Sequence, residues 1–308
     1  MLIRRGFQPG RDTKRGCAVA IGNFDGLHLG HQKILALLQE RSRDAQLPAI
    51  VLSFEPHPRE FLAPTEAPAR LMRLRDKARW LAQAGIDELR LLHFDDEISG
   101  WSGAEFIERV IVGALGARRV VVGEGFRFGH RRSGDVALLR HAGAERGIAV
   151  DEVAPLIQDG SAVSSTRVRE ALAAGRLDQA KTLLGRDYRI SGRVIPGERL
   201  GLRLGFPTAN IRLHRRVPPL AGIFAVRASG PRLRGHPAVA AVGTRPTVGG
   251  TEWLLEVHLF DFDGDLYRAR LDVDFIARLR DEIRYLDLES MTAQMHDDAR
   301  RARELLDA

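Results

Sequence analysis

Residues 18–43 read AVAIGNFDGLHLGHQKILALLQERSR, and they contain the transition that decides the fold of the first half of the chain. The stretch Ala18–Phe24 is a short apolar run of the kind that forms a buried strand. The stretch Gln32–Arg43 repeats apolar residues every three or four positions, as an amphipathic helix does. A strand that leads through a turn into a helix begins a βαβ unit, so this segment predicts a parallel sheet.

The same alternation of strand-like and helix-like segments continues to about residue 157. It predicts a parallel sheet that helices cover on both faces. The predicted strands are Ala18–Phe24, Ala49–Phe54, Glu88–Phe94, Arg119–Val122 and Ile148–Ile157. The predicted helices are Gln32–Arg43, Leu71–Ala84, Ala104–Leu115 and Asp135–Arg146, followed by two more at Thr166–Ala174 and Asp178–Leu184.

The pattern changes after Gly185, where strand-like runs follow one another without a helix of normal length between them. Such runs predict an antiparallel sheet or a small barrel. They are Tyr188–Ile195, Thr208–Leu213, Ile223–Ala228, Ala238–Val242, Trp253–Phe262 and Tyr267–Phe275. The Asp-Gly turn Asp261–Asp265 is predicted to be a hairpin loop, and a closing helix is predicted over Met291–Asp307 with Ser290 as its N-cap.

These patterns place the chain in the class α/β plus β. The change of pattern near Gly185–Arg189 predicts two domains, residues 1–186 and residues 187–308. A chain of 308 residues has the length of two domains, and 44% apolar residues supply ample core.

Composition excludes several classes of protein. The apolar content excludes intrinsic disorder. No apolar run approaches the roughly 18 residues of a membrane-spanning helix, and the N-terminus has no signal-peptide core. Cys17 is the only cysteine, which excludes an internal disulfide and a cysteine-rich metal site. We therefore expect a cytoplasmic protein without a membrane partner.

The net charge of +7, from 47 basic and 40 acidic residues, suits phosphorylated ligands and also RNA. The basic clusters are short and scattered, and no aromatic-rich stripe accompanies them. We interpret them as solvated surface, so no nucleic-acid partner is expected.

The turn after the first predicted strand is a candidate anion site. Ligand crevices form at the carboxyl ends of strands in such sheets, and a helix start offers free N–H groups and partial positive charge. His28 and His31 are three residues apart, so both can face one ligand, and Gly30 between them permits close approach of a phosphate. Two alternatives stay open at this point: a pair of ordinary surface histidines, and a zinc site.

A second candidate site lies in the predicted all-β region. Thr208 and Asn210 are two apart, hence on one face of an extended segment, and they offer hard oxygen ligands suited to Mg²⁺ and phosphate. Glu256 and His258 share one face of a later strand. The alternative interpretation is routine polar residues that face solvent.

Several motifs resemble one family over nearly the whole chain. GNFDGLHLGHQ, residues 22–32, resembles the G-x-F-D-x-x-H-x-G-H signature of nucleotidylyltransferases. More narrowly it is similar to the adenylyltransferase module of bacterial bifunctional riboflavin kinase/FAD synthetases. SFEPHP, VGEGFRFG and VSSTRVR, at residues 53–58, 122–129 and 163–169, resemble later motifs of that module. LGFPTAN, residues 204–210, resembles the riboflavin kinase module.

The resemblance implies a Rossmann-like nucleotidylyltransferase domain over residues 1–186 and a six-stranded antiparallel β-barrel with a terminal helix over residues 187–308. The barrel domain would phosphorylate riboflavin with ATP to give FMN. The first domain would transfer AMP from ATP to FMN, giving FAD and pyrophosphate. The implied cofactor is Mg²⁺, and the partners are the small molecules riboflavin, FMN and ATP. The sequence leaves a homo-oligomer open.

The resemblance also implies roles for individual residues. In the adenylyltransferase, the catalytic residues are His28 and His31, and the ATP and phosphate ligands are Gly22, Asn23, Phe24, Asp25, Gly30, Ser164, Ser165, Thr166 and Arg169. Its flavin ligands are Phe54, Pro56, His57, Phe126, Arg127 and Phe128. In the kinase, Glu256 is the catalytic base, Gly201, Gly205, Phe206, Pro207 and Thr208 bind ATP, Arg280 and Glu282 bind flavin, and Thr208 and Asn210 hold the metal. The chain departs from the family pattern at Gly125, Leu202 and Ala241.

Two other functions stay open at the level of the sequence. One is a nucleotidylyltransferase for another phosphate substrate, with a degenerate second domain; the intact PTAN segment, residues 207–210, and Glu256 argue against it. The other is an RNA-binding protein that uses its basic surface, which salt-sensitive RNA affinity without flavin binding would reveal.

Overall fold

The computed structural model describes residues 1–8, 15–197, 205–247 and 250–307. Packing separates the chain into two compact units. The first unit comprises Met1–Pro68 and Arg73–Val163. The second unit comprises Ala69–Met72 and Ser164–Ala308. The predicted division of the two activities after residue 186 stays a prediction.

The first unit is built around a parallel sheet. Its strands are β1 (Leu2–Arg5), β2 (Cys17–Ile21), β3 (Ala49–Phe54), β4 (Glu88–Leu92), β5 (Ala117–Gly123), β6 (Arg127–Phe128), β7 (Gly134–Asp135), β8 (Ala149–Val153), β9 (Ile157–Gln158) and β10 (Ser161–Ala162). The main sheet has the order β1-β4-β3-β2-β5-β8, with every neighbouring pair parallel. The predicted parallel sheet is confirmed, and β1 is an edge strand that the sequence analysis missed.

Helices connect the strands of the first unit. They are α1 (Leu29–Asp44), α2 (Pro58–Leu62), α3 (Leu74–Gln83), α4 (Asp96–Gly100), α5 (Gly103–Phe106), which continues as the π-helix Ile107–Ala114, and α6 (Val136–Arg146). Asp135 caps α6, since its carboxylate accepts the N–H of Leu138. Among the described residues, no helix combines the length and apolar composition needed to cross a membrane.

The strand order places a crevice beside β2. The chain runs from β2 to β3 and β4 on one side, and then returns to form β5 on the other side of β2. Such a switch point leaves an open crevice at the carboxyl end of the central strand. The apolar run predicted from the sequence anchors this strand, because Ala18, Val19 and Ala20 are fully buried.

The second unit contains a closed antiparallel barrel. Its helices and strands are α7 (Ser165–Ala173), α8 (Leu177–Leu184), β11 (Tyr188–Ile195), β12 (Ala209–Arg212), β13 (Gly222–Gly230), β14 (Leu233–Thr247), β15 (Gly250–Leu259), β16 (Arg270–Arg280) and α9 (Leu288–Asp307). The barrel order is β11-β12-β15-β14-β13-β16, closed by pairing of β11 with β16. The terminal helix α9 covers part of the outer face, where its Ala302 and Leu306 pack with Phe260 and Leu279. The predicted six-stranded barrel is confirmed.

Two details predicted for the barrel region are wrong. The segment Asp261–Asp265 is not a hairpin loop, because the strands that flank it, β15 and β16, are not neighbours in the barrel. Alternation and an Asp-Gly pair identify a turn but do not identify which strands pair. The N-cap of α9 is not Ser290, since the helix begins at Leu288 and the carboxylate of Asp287 accepts the N–H of Ser290 at 2.7 Å.

Candidate active sites

The loop between β2 and α1 lies at the switch point of the sheet. The β2–β3 ladder extends to Gly22, whose N–H donates to the carbonyl of Leu52 at 3.1 Å. The chain then turns sharply: Phe24 and Leu27 adopt left-handed φ values of 47° and 45°, and both are buried. Asp25 is also buried, at 5% exposure. The segment 22–28 is therefore a strained, enclosed turn, and such strain concentrates at functional sites.

His28 and His31 lie together at the start of α1. Their rings stack with centroids 3.7 Å apart. His28 is the N-cap of α1, and its Nδ1 accepts the backbone N–H of His31 at 3.3 Å. A neutral ring that accepts at Nδ1 carries its proton on Nε2, so His28 can donate to a ligand through Nε2. The predicted pairing of the two histidines at a helix start is present in the structure.

Gly30 leaves room for the ring of His28. A Cβ atom at Gly30 would lie 3.2 Å from that ring and 3.3 Å from the carbonyl oxygen of Val163. A side chain at position 30 would thus push on His28. Zinc binding by the pair would need more ligands, and the described residues contain no cluster of three His, Cys, Asp or Glu side chains that could hold a metal.

The Ser-Ser-Thr segment begins helix α7 in the second unit. Ser164 is the N-cap, and its hydroxyl accepts the N–H of Arg167 at 3.3 Å. Ser165 and Thr166 follow in the first turn, where helix N–H groups favour anions. Arg169 donates from Nε to the carbonyl of Ala69 at 2.6 Å. The predicted phosphate role of these residues is compatible with this helix start and stays a prediction.

An aromatic cluster contains the flavin ligands predicted in the first unit. Phe126 and Phe128 stack at 5.4 Å, and Phe128 contacts Phe106 at 5.5 Å. Phe54 lies 6.4 Å from Phe106 and 5.8 Å from Phe94. Phe128 is only 8% exposed and belongs to the core, whereas Phe54 and Phe126 are partly exposed at its edge. Phe94 and Phe106 extend the cluster, and the sequence analysis missed them.

The polar flavin ligands predicted for this unit are engaged locally. His57 caps α2, with Nδ1 accepting the N–H of Arg59 at 3.1 Å. Pro56 precedes it in a cis peptide bond with Glu55. Arg127 pairs with Asp135 at 3.0 Å near the surface. Gly125, where the family has Asp or Asn, has φ of 70° and open space around it.

The metal ligands predicted in the barrel are in contact. The amide Nδ2 of Asn210 donates to the carbonyl and the hydroxyl of Thr208, at 3.3 and 3.4 Å. Asn210 is 8% exposed, and a Cβ atom at Gly197 would overlap its amide group. These bonds orient Asn210 so that its Oδ1 remains an acceptor beside the Thr208 hydroxyl. A pair of neutral oxygens of this kind fits Mg²⁺ that takes its other ligands from phosphate and water.

A cavity of about 400 Å³ opens beside these two residues. It is lined by Val194, Gly197, Pro207, Thr208, Ala209, Asn210, Val257, Leu259, Phe262, Gly264, Asp265, Leu266 and Tyr267. The segment that was predicted as a hairpin loop therefore forms one wall of the cavity. The volume of the cavity falls in the range of small-ligand pockets.

The register of the barrel sets Glu256 beside Asn210. Asn210 pairs with Glu256 on β15, and Glu256 pairs on its other side with Ala241 on β14. Paired residues share a face, and their Cβ atoms are roughly 4.5–5.5 Å apart. Leu255 and Val257 point into the barrel and are fully buried, so the Asn210–Glu256 pair lies on the outer face.

The same row ends at Arg280. Ala241 pairs with Ile223, and Ile223 pairs with Arg280 on β16. Arg280 forms a bidentate ion pair with the buried Asp298 of α9, at 2.6 and 3.0 Å. Asp298 thus fixes the guanidinium that was predicted to bind flavin. Burial raises the pKa of the nearby Glu282 carboxyl, against the opposing effect of Arg280.

Among the remaining predicted kinase residues, Pro207 lines this cavity, and Gly205 and Phe206 line a second pocket that Pro207 shares. Phe206 is 5% exposed and packs between the rings of His258 and His296, at 4.9 and 4.7 Å. The carbonyl of Pro207 accepts a hydrogen bond from Nδ1 of His258 at 2.9 Å. Gly205 has φ of 81°, which favours glycine. Gly201 lies outside the described residues.

Comparison with known proteins assigns both halves of the chain. The family model for FAD synthetase matches residues 10–167, and the model for riboflavin kinase matches residues 184–306. A bifunctional riboflavin kinase/FMN adenylyltransferase from Pseudomonas fluorescens is 45% identical over 308 residues, with 99% of this chain and 98% of the relative covered. The chain belongs to the bifunctional riboflavin kinase/FMN adenylyltransferase family. The family member from Escherichia coli K12 is 43% identical, with 98% of this chain and 97% of the relative covered.

A solved structure shares the fold of this family member over its full length. The crystal structure of a macrolide-efflux protein from Streptococcus pneumoniae matches with a TM-score of 0.83. It is 28% identical and covers 98% of this chain and 99% of its own. The resemblance to the family that the sequence motifs indicated is confirmed.

Sequence reasoning did not find every residue that shapes the candidate sites of this riboflavin kinase/FMN adenylyltransferase. Asp298 carries no motif signal, because its role depends on a helix packing against β16. Phe94 and Phe106 read as ordinary core residues. Lys77 is one of four lysines in the chain, and it is only 6% exposed in the structure. No sequence pattern indicated that this lysine is buried.

Proposed function

We propose that the chain carries out its two reactions at two chemically distinct sites, one centred on His28 and His31 and the other on Glu256. As a member of its family, the chain is a riboflavin kinase and an FMN adenylyltransferase. The N-terminal part makes FAD from FMN and ATP, and the barrel makes FMN from riboflavin and ATP. The residues that act in each reaction are the proposal.

In the kinase reaction, Glu256 takes the proton of the riboflavin 5′-hydroxyl. The hydroxyl oxygen then forms a bond to the γ-phosphorus of ATP, the bond from that phosphorus to the bridging oxygen breaks, and ADP leaves. A carboxylate acts as general base when it lies within hydrogen-bond reach of the hydroxyl. The single observation that carries this proposal is the register that places Glu256 directly beside Asn210.

Thr208 and Asn210 would hold Mg²⁺, which offsets the charge of the transferring phosphate when it is bound. Arg280 would approach the flavin from the far end of the same row. Asn210 on β12 and Arg280 on β16 are the two ends of this row. Glu256 pairs with Asn210 at one end, which supports a role for Glu256 near the phosphates and for Arg280 near the flavin ring. Gly205, Phe206 and Pro207 would contact ATP.

In the adenylyltransferase reaction, a phosphate oxygen of FMN attacks the α-phosphorus of ATP. The bond from that phosphorus to the bridging oxygen breaks, and pyrophosphate leaves. The Nε2–H of His28, the ring of His31 and the partial positive charge at the start of α1 stabilise the negative charge that builds up on the phosphates. Phe54 and Phe126 accept the flavin ring at the edge of their cluster. The family resemblance assigns phosphate contacts to Ser164, Ser165, Thr166 and Arg169 as well.

The proposal places the reactions in the cytoplasm, where ATP is available, and divides the two activities at residue 186. Incubation of the purified chain with riboflavin, ATP and Mg²⁺, followed by chromatography, tests it. We expect FMN to appear first and FAD to follow. Omission of Mg²⁺ in the presence of a chelator should abolish both products, and unchanged product formation would remove the metal from the proposal.

A further inference from the structure

Lys77 is a buried lysine that the reactions described above do not use. It lies on α3 and is 6% exposed. Its ammonium Nζ donates to the backbone carbonyl of Asn23 at 2.6 Å and to the hydroxyl of Ser53 at 3.2 Å. The Ser53 hydroxyl also donates to the carbonyl of Asn23 at 3.3 Å. Two side chains from separate elements thus converge on one carbonyl at the carboxyl end of the sheet.

The position of this carbonyl explains why it needs such partners. The last backbone hydrogen bond that the structure describes between this segment and β3 is donated by the N–H of Gly22, and the carbonyl of Asn23 lies beyond it, where it accepts from side chains. A buried backbone carbonyl that lacks a partner destabilises the structure. Lys77 supplies the partner with a charged donor, and charge-assisted hydrogen bonds are the stronger kind.

The bond also holds the strained part of the loop. Asn23 is followed by Phe24, which is buried and left-handed, and the ring of Phe24 lies 5.2 Å from the ring of His31. Fixing the carbonyl of Asn23 fixes the peptide plane that precedes Phe24. The orientation of Phe24 in turn sets the packing of His31 against His28. A continuous set of contacts therefore connects Lys77 to the histidine pair.

We propose that Lys77 is a positioning residue for adenylyl transfer, whose ammonium group holds the loop 22–28 in the geometry that aims His28 and His31 at the phosphates. This inference rests on the proposed adenylyltransferase site. Lys77 touches the backbone of the loop and acts through it, so its loss should lower the turnover number more than the affinity for substrates. Small misplacement of a catalytic group costs up to about 100-fold in rate.

The test compares Lys77→Met with Arg75→Met. Methionine keeps the length and apolar stem of lysine and removes the charge and the donors. Arg75 is an exposed cation on the same helix, so Arg75→Met is the matched control. We expect the kcat for FAD formation from FMN to fall about 10- to 100-fold in Lys77→Met, with KM for FMN and ATP changed less than about threefold. Arg75→Met and the riboflavin kinase activity of both variants should match the wild type.

Chemical rescue separates positioning from a merely structural role. In Lys77→Ala, added n-propylammonium can enter the vacated space and donate to the carbonyl of Asn23, so it should restore part of the kcat. Tetramethylammonium has no N–H and should restore nothing. A kcat of Lys77→Met within twofold of wild type overturns the proposal. So does a loss that matches the unfolded fraction measured by circular dichroism, or a Lys77→Met chain that does not fold. A wild-type protein that makes no FAD would instead overturn the proposed function itself.

Discussion

The two candidate sites of this enzyme are built in opposite ways. The histidine site comes from one continuous turn, residues 22–31, whose geometry is set by a strand end, a helix start and two left-handed residues. The barrel site comes from a row of residues on different strands, in which Asn210 and Glu256 meet only through pairing of β12 with β15. A local motif therefore specifies the first site, whereas the second depends on the register of the whole barrel.

The largest effect should follow removal of Glu256, the proposed base in the barrel row. Glu256→Gln keeps the size and hydrogen bonding of the side chain but cannot accept the proton of the 5′-hydroxyl. General bases contribute typically ~10²–10⁴-fold, so riboflavin phosphorylation should fall by that range while riboflavin binding changes little. FAD synthesis from added FMN should be preserved. Initial rates of FMN and FAD formation, measured by chromatography, check this.

Glu252→Gln is the matched control for this change. Glu252 lies on the same strand and the same face as Glu256, and it pairs with Arg212 at 2.5 Å. The residue that Glu252 faces on β14 is Arg245, which is not one of the predicted ligands. The variant should therefore behave as wild type. If Glu256→Gln forms FMN at the wild-type rate, Glu256 is an ordinary surface acid. The pairing of Glu256 with Asn210 would then be no evidence for a catalytic base.

The next largest effect concerns the histidine turn. His28→Ala removes the proposed donor to the phosphates and should lower the kcat for FAD formation on the order of 10²-fold. Riboflavin phosphorylation should stay near normal. Equal loss of both activities would indicate misfolding, and zinc-dependent activity that disappears in the variant would restore the metal interpretation.

His28→Ser distinguishes the two tasks of this residue. His28 caps α1 through Nδ1, and serine is a good N-cap that cannot reach the phosphates. If phosphate contact is the main task, the kcat for FAD formation should be as low in His28→Ser as in His28→Ala. The His28→Ser variant should nevertheless have the higher melting temperature, because serine caps the helix. Activity restored by serine would show that capping alone accounts for the histidine.

Fragments test whether the two sites are as independent as their construction suggests. Residues 1–186 alone should make FAD only from added FMN, and residues 187–308 alone should make FMN. Helix α8 packs on β11 and β16 with Leu177, Leu183 and Leu184 buried. A fragment that begins at residue 187 exposes the apolar surface beneath them, so we expect it to be about 3–5 kcal/mol less stable than residues 164–308.

Urea unfolding of the two C-terminal fragments measures this difference. Both fragments should phosphorylate riboflavin at temperatures where they are folded, since neither lacks Thr208, Asn210 or Glu256. Equal midpoints would show that α8 contributes nothing to the barrel. A well-folded fragment without kinase activity would mean that the row across the barrel is not a complete site.

The fold was predictable from sequence where the signal was local. Alternating segments gave the parallel sheet, and strand-like runs without helices gave the barrel, because burial imposes these periods on the residues. The pairing of the strands was not predictable in this way. The Asp261–Asp265 turn has the composition of a hairpin, yet β15 and β16 lie apart in the barrel. Pairing depends on long-range packing, which no local pattern records.

The candidate sites show the same limit. His28, His31 and their capping arrangement could be read from one short string. Thr208 and Asn210 were also adjacent in sequence, but their neighbour Glu256 was connected to them only by resemblance to a family. Asp298 and Lys77 were invisible, because what marks each of them is burial against a distant segment, at 3% and 6% exposure.

The smallest effect should come from the link between α9 and the cavity wall. Arg303 forms a bidentate ion pair with Asp261, at 2.6 and 3.0 Å, and its guanidinium lies 4.3 Å from the ring of Phe260. Asp261 precedes Phe262 and Gly264, which line the cavity. The hydrogen bonds from Arg303 hold the pKa of the Asp261 carboxyl below its ordinary value, so the pair persists at neutral pH and weakens only in strong acid.

Arg303→Gln removes the ion pair that ties the segment 261–265 to α9. It should raise KM for ATP in the kinase reaction, with kcat unchanged. The rise should stay below about fivefold, because exposed ion pairs contribute little and the Asp261 side chain is 79% exposed. Arg300→Gln is the control, since Arg300 pairs only with Asp297 and Glu304 of its own helix among the described ion pairs. The double change Arg303→Asp with Asp261→Arg should recover part of the affinity. If the effects of the two single changes simply add in the double variant, the wall is held by the rest of the barrel and α9 has no part in ATP binding.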